Sequence, residues 1–225
     1  MRIAVPDIFD EVQDDLRADK ARRLLTRYGG MLAAAFVLML VGVGAWQGWK
    51  WYEARDTART ADAYLAALRP IDARAEAPDP AVRQQVAAAL APLAADGGPG
   101  YRTLARLQSA ALKADTGDLP GALALWNQIF TDSGADRLLR DVAALQWSTH
   151  QIDAGDPTQV DARLATLTAP DNPLHALALE AQALLALRQD RRDAARDIFR
   201  QLAQDVTAPE GVRGRANGLL LQIGG

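Results

Sequence analysis

The longest apolar stretch of the chain lies near its N-terminus. Between Arg27 and Lys50 there are 22 consecutive residues without a charge, YGGMLAAAFVLMLVGVGAWQGW. A helix of this length rises about 33 Å, which matches the hydrocarbon thickness of a bilayer. Aromatic residues lie at both ends of the stretch, and such amphipathic rings prefer the membrane interface. The pattern predicts a transmembrane helix over residues 28–52.

Two other structures contain apolar stretches, and the sequence disfavours both. A cleaved signal peptide has an apolar region of about 7–15 residues, followed by small residues at the cleavage site. Here the region is longer, and Trp46, Trp49 and Trp51 lie where the small residues should be. A buried helix of a soluble protein rarely runs so far without a charge. We therefore interpret the segment as a retained membrane anchor.

The charges beside the predicted span give its orientation. Five basic residues precede the span and three follow it: Arg17, Lys20, Arg22, Arg23 and Arg27 before it, and Lys50, Arg55 and Arg59 after it. Lys and Arg concentrate on the cytoplasmic side of membrane helices. The sequence thus predicts a cytoplasmic N-terminus and a large C-terminal domain outside the cytoplasm.

Residues 1–27 are predicted to form a cytoplasmic amphipathic segment. Phe9, Val12 and Leu16 recur at helical spacing, and Asp7 is the expected N-cap. Acidic residues precede basic ones, an order that complements the helix dipole. Two interpretations stay open: a docking helix for a cytoplasmic or membrane partner, and a helix on the membrane surface whose basic end contacts anionic lipid.

Residues 53–98 are predicted to form membrane-proximal helices. The helical pattern continues beyond the span to Arg69, and Pro70 and the PDP at 78–80 interrupt it. A short helix is predicted over residues 81–95, before the glycine-rich break DGGPG at 96–100.

Residues 99–225 are predicted to form three helical pairs and a C-terminal capping helix. The pairs are 101–115 with 119–131, 135–153 with 158–167, and 174–188 with 191–205, and the last helix is 209–221. The second helices resemble one another, because Ala122, Val160 and Ala195 lie 38 and 35 residues apart. The tetratricopeptide repeat has a similar period, about 34 residues.

Further positions support this repeat. A large residue follows each of the three by four positions, and a small residue precedes each by twelve. These are Trp126, Leu164 and Phe199, and Ala110, Ser148 and Ala183. The predicted fold class is all-α, a single transmembrane helix followed by a tetratricopeptide-like α-solenoid.

In such a solenoid the first helices line a concave surface that binds proteins or peptides. The candidates for a partner-binding groove on that surface are Arg102, Arg106, Arg140, His150 and Arg188. In the span, Gly44 and Gly48 form a GxxxG step, which permits close packing of membrane helices. The general enrichment of glycine in membrane helices is the other interpretation of this step.

Composition argues against several kinds of chemistry. The chain contains no cysteine, and His150 and His175 do not stand in a metal-binding spacing. None of the three serines lies in a G-x-S-x-G motif. Residues 53–225 contain 18 Lys and Arg and 22 Asp and Glu, a net charge of −4, which disfavours binding to nucleic acid. We predict no enzymatic activity, no cofactor and no nucleic acid partner.

The order of segments resembles a known family. An acidic opening IFDEVQDDLR, a basic run ARRLLTRYG, a span that ends in WQGWKWY and an alanine-rich repeat domain follow one another. This order is similar to the ancillary SecYEG translocon subunit family, the YfgM-like tetratricopeptide proteins, in an α-proteobacterial form. The resemblance implies a single-pass inner-membrane protein with a periplasmic C-terminal domain. It also implies the SecYEG translocon, periplasmic chaperones and exported polypeptides as partners.

The sequence therefore predicts a membrane-anchored periplasmic module for protein–protein interaction, ancillary to the Sec translocon and assisting exported proteins as a chaperone does. A tetratricopeptide scaffold for envelope assembly or cell-division coordination is the alternative, because it has the same architecture. The repeats alone do not distinguish the two functions, and the resemblance of the N-terminal part favours the first.

Overall fold

The computed structural model describes the backbone of residues 8–72 and 79–224, and the side chains of residues 30–31, 33–71, 79–98 and 100–224. These residues form nine helices and no strand, which confirms the all-α fold class. The helices are α1 (Ile8–Asp72), α2 (Pro80–Asp96), α3 (Pro99–Asp115), α4 (Leu119–Thr131), α5 (Arg137–Thr149), α6 (Pro157–Ala165), α7 (His175–Arg188), α8 (Arg192–Gln204) and α9 (Glu210–Ile223). The chain divides into two compact units, residues 1–58 and 59–225, and α1 contributes residues to both.

In the first unit, α1 exposes its apolar side chains. Met31, Leu38 and Trp49 are each between 72 and 74% exposed. Within the described residues, α1 is the one helix that is long and apolar enough to cross a membrane. An exposed apolar surface of this extent is typical of a helix that contacts lipid or another protein.

The two ends of α1 differ from the sequence prediction in detail. The helix is continuous from Ile8, so the predicted N-terminal helix and the span belong to one element. The predicted cap Asp7 and the side chains of Phe9, Val12 and Leu16 lie outside what the structure describes, and the amphipathic role of this segment stays a prediction. At the other end, α1 continues past Pro70 and ends at Asp72. Proline disrupts the turn that precedes it, and here that turn is the last of the helix.

Aspartates determine where several helices of the second unit begin. The side chains of Asp118, Asp136 and Asp156 accept hydrogen bonds of 2.8–3.0 Å from backbone N–H groups of α4, α5 and α6. An N-cap aspartate satisfies one of the N–H groups that a helix start leaves unpaired. The predicted bounds of this helix, 135–153, are therefore wrong: α5 runs from Arg137 to Thr149, and its start follows the N-cap Asp136.

One buried alanine recurs in the first helix of each pair. Ala105, Ala143, Ala178 and Ala216 are 0% exposed and lie 38, 35 and 38 residues apart, in α3, α5, α7 and α9. Ala67, another 38 residues earlier in α1, is 6% exposed. A small side chain at a helix contact lets the two helices approach closely. These alanines place the five helices in a common register.

The repeat pattern predicted for the second helices is confirmed by burial. Nine positions carry it, and all of them are at most 1% exposed: Ala110, Ser148, Ala183, Ala122, Val160, Ala195, Trp126, Leu164 and Phe199. The large side chains of α4, α6 and α8 therefore pack against the small residues of the first helices.

The repeat stack begins earlier than residue 99. Near the end of α1, Ala67 shares a core cluster with Val86 of α2 and Ala105 of α3. Val86 is fully buried and lies 36 residues before Ala122, at the equivalent position of its helix. In the described residues the second unit thus contains four pairs, α1–α2, α3–α4, α5–α6 and α7–α8, followed by α9. The sequence predicts only three of them, because prolines interrupt the pattern of the first pair.

Candidate functional site

The common register defines one face of the first helices, called the inner face below. It consists of the positions one before and two, three and six after each buried alanine, a spacing that puts them on one side of a helix. Along α3, α5, α7 and α9 the inner face comprises Leu104, Leu107, Gln108, Ala111, Val142, Leu145, Gln146, Thr149, Leu177, Glu180, Ala181, Leu184, Arg215, Gly218, Leu219 and Gln222. Each of these residues lines one of two cavities.

The cavity nearer the C-terminus lies between α5, α7 and α9. Its volume is about 570 Å³, within the range of about 300–1,000 Å³ that ligand pockets have. The side chains of Leu145, Leu177, Leu184 and Leu219 form most of its wall. Such a wall favours apolar side chains of a partner, because their burial removes apolar surface from water.

A charged pair lies in the wall of this cavity. Glu180 is buried, with its side chain 10% exposed, and both of its carboxylate oxygens accept hydrogen bonds from Arg215, at 2.6 and 2.7 Å. The hydrogen bond to Glu180 raises the pKa of Arg215 above its ordinary value. A buried carboxylate needs such a partner, and the pair leaves the cavity without an unbalanced charge.

The cavity nearer the N-terminus lies among α3, α4, α5 and the end of α1. Its volume is about 370 Å³, and Leu104, Leu107 and Val142 contribute apolar surface. At its edge, the His150 ring lies 4.7 Å from the Trp126 ring, and Nδ1 of His150 is 2.9 Å from the backbone oxygen of Gln146. These contacts hold the imidazole against the wall of the cavity.

Two of the arginines predicted for the groove lie elsewhere. Arg102 and Arg140 are equivalent, three residues before the buried alanine, and His175 has the same position in α7. None of the three lines the two inner-face cavities. Nδ1 of His175 lies 2.7 Å from the backbone oxygen of Thr168, just after α6. The His175 ring therefore contacts the segment that follows α6.

The other two predicted arginines bind backbone carbonyls. Nε of Arg106 donates to the oxygen of Ala94 in α2, at 3.0 Å. Nη1 of Arg188 donates to the oxygens of Ile152 and Gly155, both at 2.7 Å, and so ties α7 to the turn after α5. Of the five candidates, the structure brings only His150 to an inner-face cavity, and a partner contact at any of the five stays a prediction.

The residues that sequence reasoning missed are those that make the inner face apolar. The predicted candidates are residues expected to be exposed on first helices, whereas the cavity wall contains Leu177, Leu184 and the neutralised pair of Glu180 and Arg215. The recurring buried alanine is the signal that would identify the inner-face residues. Positions counted from this alanine separate the inner face from the faces that pack against other helices.

In the first unit, Gly44 and Gly48 are exposed and have open space around them. Apart from the adjoining residues and nearby backbone of α1 itself, no described atom lies within 4 Å of the position that a Cβ would take at either glycine. Both backbones are accessible for close packing of another helix, and such packing stays a prediction.

A comparison with protein families identifies the repeat type. Residues 22–216, most of the chain, match the model of the tetratricopeptide repeat-like domain. The chain belongs to this family. Tetratricopeptide repeat-like domains are typically non-enzymatic modules for protein–protein interaction. Neither curated proteins nor solved structures gave a match. The described residues contain no cluster of His, Asp and Glu that could hold a metal ion.

Proposed function

We propose that this protein is a single-pass inner-membrane protein that holds exported polypeptides beside the Sec translocon. Its helical repeats stand in the periplasm, and α1 anchors them. The resemblance of the N-terminal segments to the ancillary translocon subunits supports the location. The family match supports the combination of anchor and repeats, because it begins at residue 22, before the uncharged stretch of α1.

The inner face is the observation that carries the proposal. It presents a leucine-lined cavity of about 570 Å³ and a second cavity of about 370 Å³ with a mixed apolar and polar lining, along successive first helices. A newly exported chain is unfolded and exposes apolar side chains that a folded protein buries. The apolar cavity accommodates an apolar side chain and the mixed cavity a second side chain of the same extended chain, and linked weak contacts of this kind add up to useful avidity. The face therefore suits transient holding of an unfolded polypeptide.

The topology is tested with single cysteines, since the natural chain contains none. One variant carries Ser133→Cys in the repeat domain, and the other carries Asp15→Cys before the span. In spheroplasts, a membrane-impermeant maleimide should label the first and spare the second until the membrane is permeabilised. Labelling of Asp15→Cys alone in intact spheroplasts would refute the orientation.

The binding face is tested with a charge placed in the apolar cavity. The Leu177→Glu variant, as full-length protein in nanodiscs, should bind an unfolded outer-membrane protein precursor roughly tenfold more weakly, equivalent to about 1.4 kcal/mol. Val206→Glu is the matched control, because Val206 is 84% exposed and lies in the turn before α9. Equal loss in both variants, or in neither, would contradict a role for the inner face.

A further inference from the structure

A second groove lies on the opposite side of the first pairs, between α2 and α4. Its floor is α3, its volume is about 560 Å³, and none of its residues belongs to the inner face. We call it the outer groove and define it by Ala91, Ala94, Ser109 and Leu125, together with the cations Arg83, Arg106 and Lys113.

The outer groove is open because four of its side chains are smaller than, or do not contact one another as, the equivalent side chains one pair later. Between α4 and α6 the positions of Ala91, Ala94, Ser109 and Leu125 are held by Asn127, Phe130, Trp147 and Arg163, according to the register of the pairs. The Arg163 guanidinium lies 4.0 Å from the Trp147 ring and 4.5 Å from the Phe130 ring, and Nη2 donates to Oδ1 of Asn127 at 2.9 Å. The same space is thus filled in one pair and empty in the other.

The walls of the outer groove consist of small residues. Ala87, Ala91 and Ala95 recur every four residues along α2, and all three are exposed. Ser109 of α3 leaves the groove open, whereas Trp147, the equivalent residue of α5, fills the equivalent space. Small residues along a helix allow another helix to approach closely. The shape therefore suits one further helix laid between α2 and α4.

The charge of the outer groove is opposite to that of its surroundings. Arg83, Arg106 and Lys113 line it with a single carboxylate, Asp118, whereas residues 53–225 carry a net charge of −4. Lys113 pairs with Asp118 at 2.6 Å. The guanidinium groups of Arg83 and Arg106 donate to neutral backbone oxygens, of Asp115 and Ala94.

Hydrogen bonds to neutral backbone oxygens do not by themselves neutralise the two arginines. Arg106 has one carboxylate nearby, Asp132, at 3.8 Å and outside the groove lining. The groove thus offers an apolar floor with net positive charge at its edges. Complementary charge of this kind selects partners and their orientation more than it adds affinity.

We propose that the outer groove binds an acidic amphipathic helix of a partner protein. Small apolar residues of that helix pack on Ala91 and Ser109, and its carboxylates face Arg83, Arg106 and Lys113. This interaction is separate from the proposed holding of exported chains, since it uses α2, α4 and a side of α3 that does not belong to the inner face. A partner can therefore dock on the outer groove while the inner face is occupied.

The test uses the full-length protein in zwitterionic nanodiscs and a fluorescent helical probe peptide. The probe has alanine and leucine on one face and glutamate on both flanks, and a matched peptide has glutamine at every glutamate. Anisotropy should show binding of the acidic peptide and at least roughly tenfold weaker binding of the neutral one, equivalent to about 1.4 kcal/mol. Binding should also weaken when ionic strength rises from about 0.01 to 0.1 M, which shortens the Debye length from about 30 to 10 Å.

Ser109→Trp is the decisive variant, because it places in the open groove the residue that fills the next one. It should abolish binding of the acidic peptide while thermal unfolding and binding of an unfolded precursor to the inner face stay unchanged. Gln182→Trp is the matched control, since Gln182 has the equivalent position in α7, and it should bind like the natural protein. Lys113→Glu keeps the shape of the groove and should weaken the binding of the acidic peptide, but not that of the neutral peptide.

Several results would overturn the proposal. They are no binding of the acidic peptide, equal binding of the neutral peptide, and unchanged binding by Ser109→Trp. Attachment to vesicles of anionic lipid that depends on Lys113 but tolerates Ser109→Trp would show that the cations contact a membrane surface instead. If Ser109→Trp unfolds the protein, Ala91→Phe fills the same space from the α2 side, and its retention of binding would contradict the proposal.

Discussion

Two equivalent grooves of the repeat domain differ in whether side chains of the chain itself fill them. The groove between α4 and α6 contains Arg163 stacked on aromatic rings at 4.0 and 4.5 Å. The groove between α2 and α4 has alanine, alanine, serine and leucine at the same positions and keeps a cavity of about 560 Å³. The helical repeat thus fixes where a groove lies, while the side chains at its lining positions decide whether the chain itself fills the groove or leaves it open.

The largest expected effect is on the filled groove. Trp147→Ala should lower the free energy of unfolding by about 2–3 kcal/mol, somewhat less than a fully buried tryptophan, because Trp147 is half-buried. Ser109→Ala, at the equivalent position, should change it by less than about 0.5 kcal/mol. Urea denaturation of both variants measures the difference, and equal effects would show that the two grooves do not differ in packing.

A smaller effect is expected at Arg163. Burial lowers the pKa of this guanidinium, and its stacking and the hydrogen bond to Asn127 compensate for the lost hydration. Arg163→Ala should cost about 1–2 kcal/mol. Arg163→Lys should recover little of this, since an ammonium lacks the planar stacking surface. Full recovery by lysine in thermal unfolding would show that charge alone matters here.

Ser148→Ala should stabilise the protein. The hydroxyl of Ser148 is fully buried and has no hydrogen-bond partner among the described residues, while the equivalent residues Ala110 and Ala183 are alanines. Removing a buried unpaired hydroxyl should raise the free energy of unfolding by up to about 1 kcal/mol. A lower melting temperature of the alanine variant would indicate that the hydroxyl is paired in solution.

The smallest expected effect is at the aspartates that cap α4 and α6, beside the two grooves. Asp118 caps α4, and hydrogen bonds from Lys113 and from Gly121 N–H hold its pKa below the ordinary value of 3.8. Its folded pKa is therefore below its unfolded pKa. The resulting stabilisation is present above the unfolded value and is lost as pH falls through the folded value.

Asp118→Asn keeps a capping side chain but removes this charge, so it should flatten the dependence of melting temperature on pH below about 4. Asp156→Asn is the control, because Asp156 caps α6 without a lysine contact among the described residues. A larger flattening in the control would contradict the assignment.

The fold follows from the sequence to a large extent, and the site much less. Spacing alone predicts the second helices, because Trp126 and Phe199 are large apolar residues in a regular repeat, and both are buried. The first pair is not predicted, because Pro70 and the PDP at 78–80 interrupt its pattern.

The functional faces depend on which side of each first helix packs. Arg102 and Leu177 both lie on first helices, and only Leu177 lines the inner face. Without the buried alanines as a reference, the sequence does not separate these two sides. The outer groove is harder still to find, because it is defined by side chains that are small where an equivalent pair has large ones.

The proposed function requires that the inner face holds exported polypeptides next to the translocon. The most direct measurement is photo-crosslinking in cells of the full-length protein, with a photoreactive residue at Leu177, at Val206 as control, or within the span, followed by mass spectrometry. Under the proposed function, we expect exported precursors at Leu177 but not at Val206, and SecYEG subunits at the span. Recovery of cell-division or envelope-assembly proteins at Leu177, without precursors or translocon subunits at any position, would contradict it and favour the scaffold function.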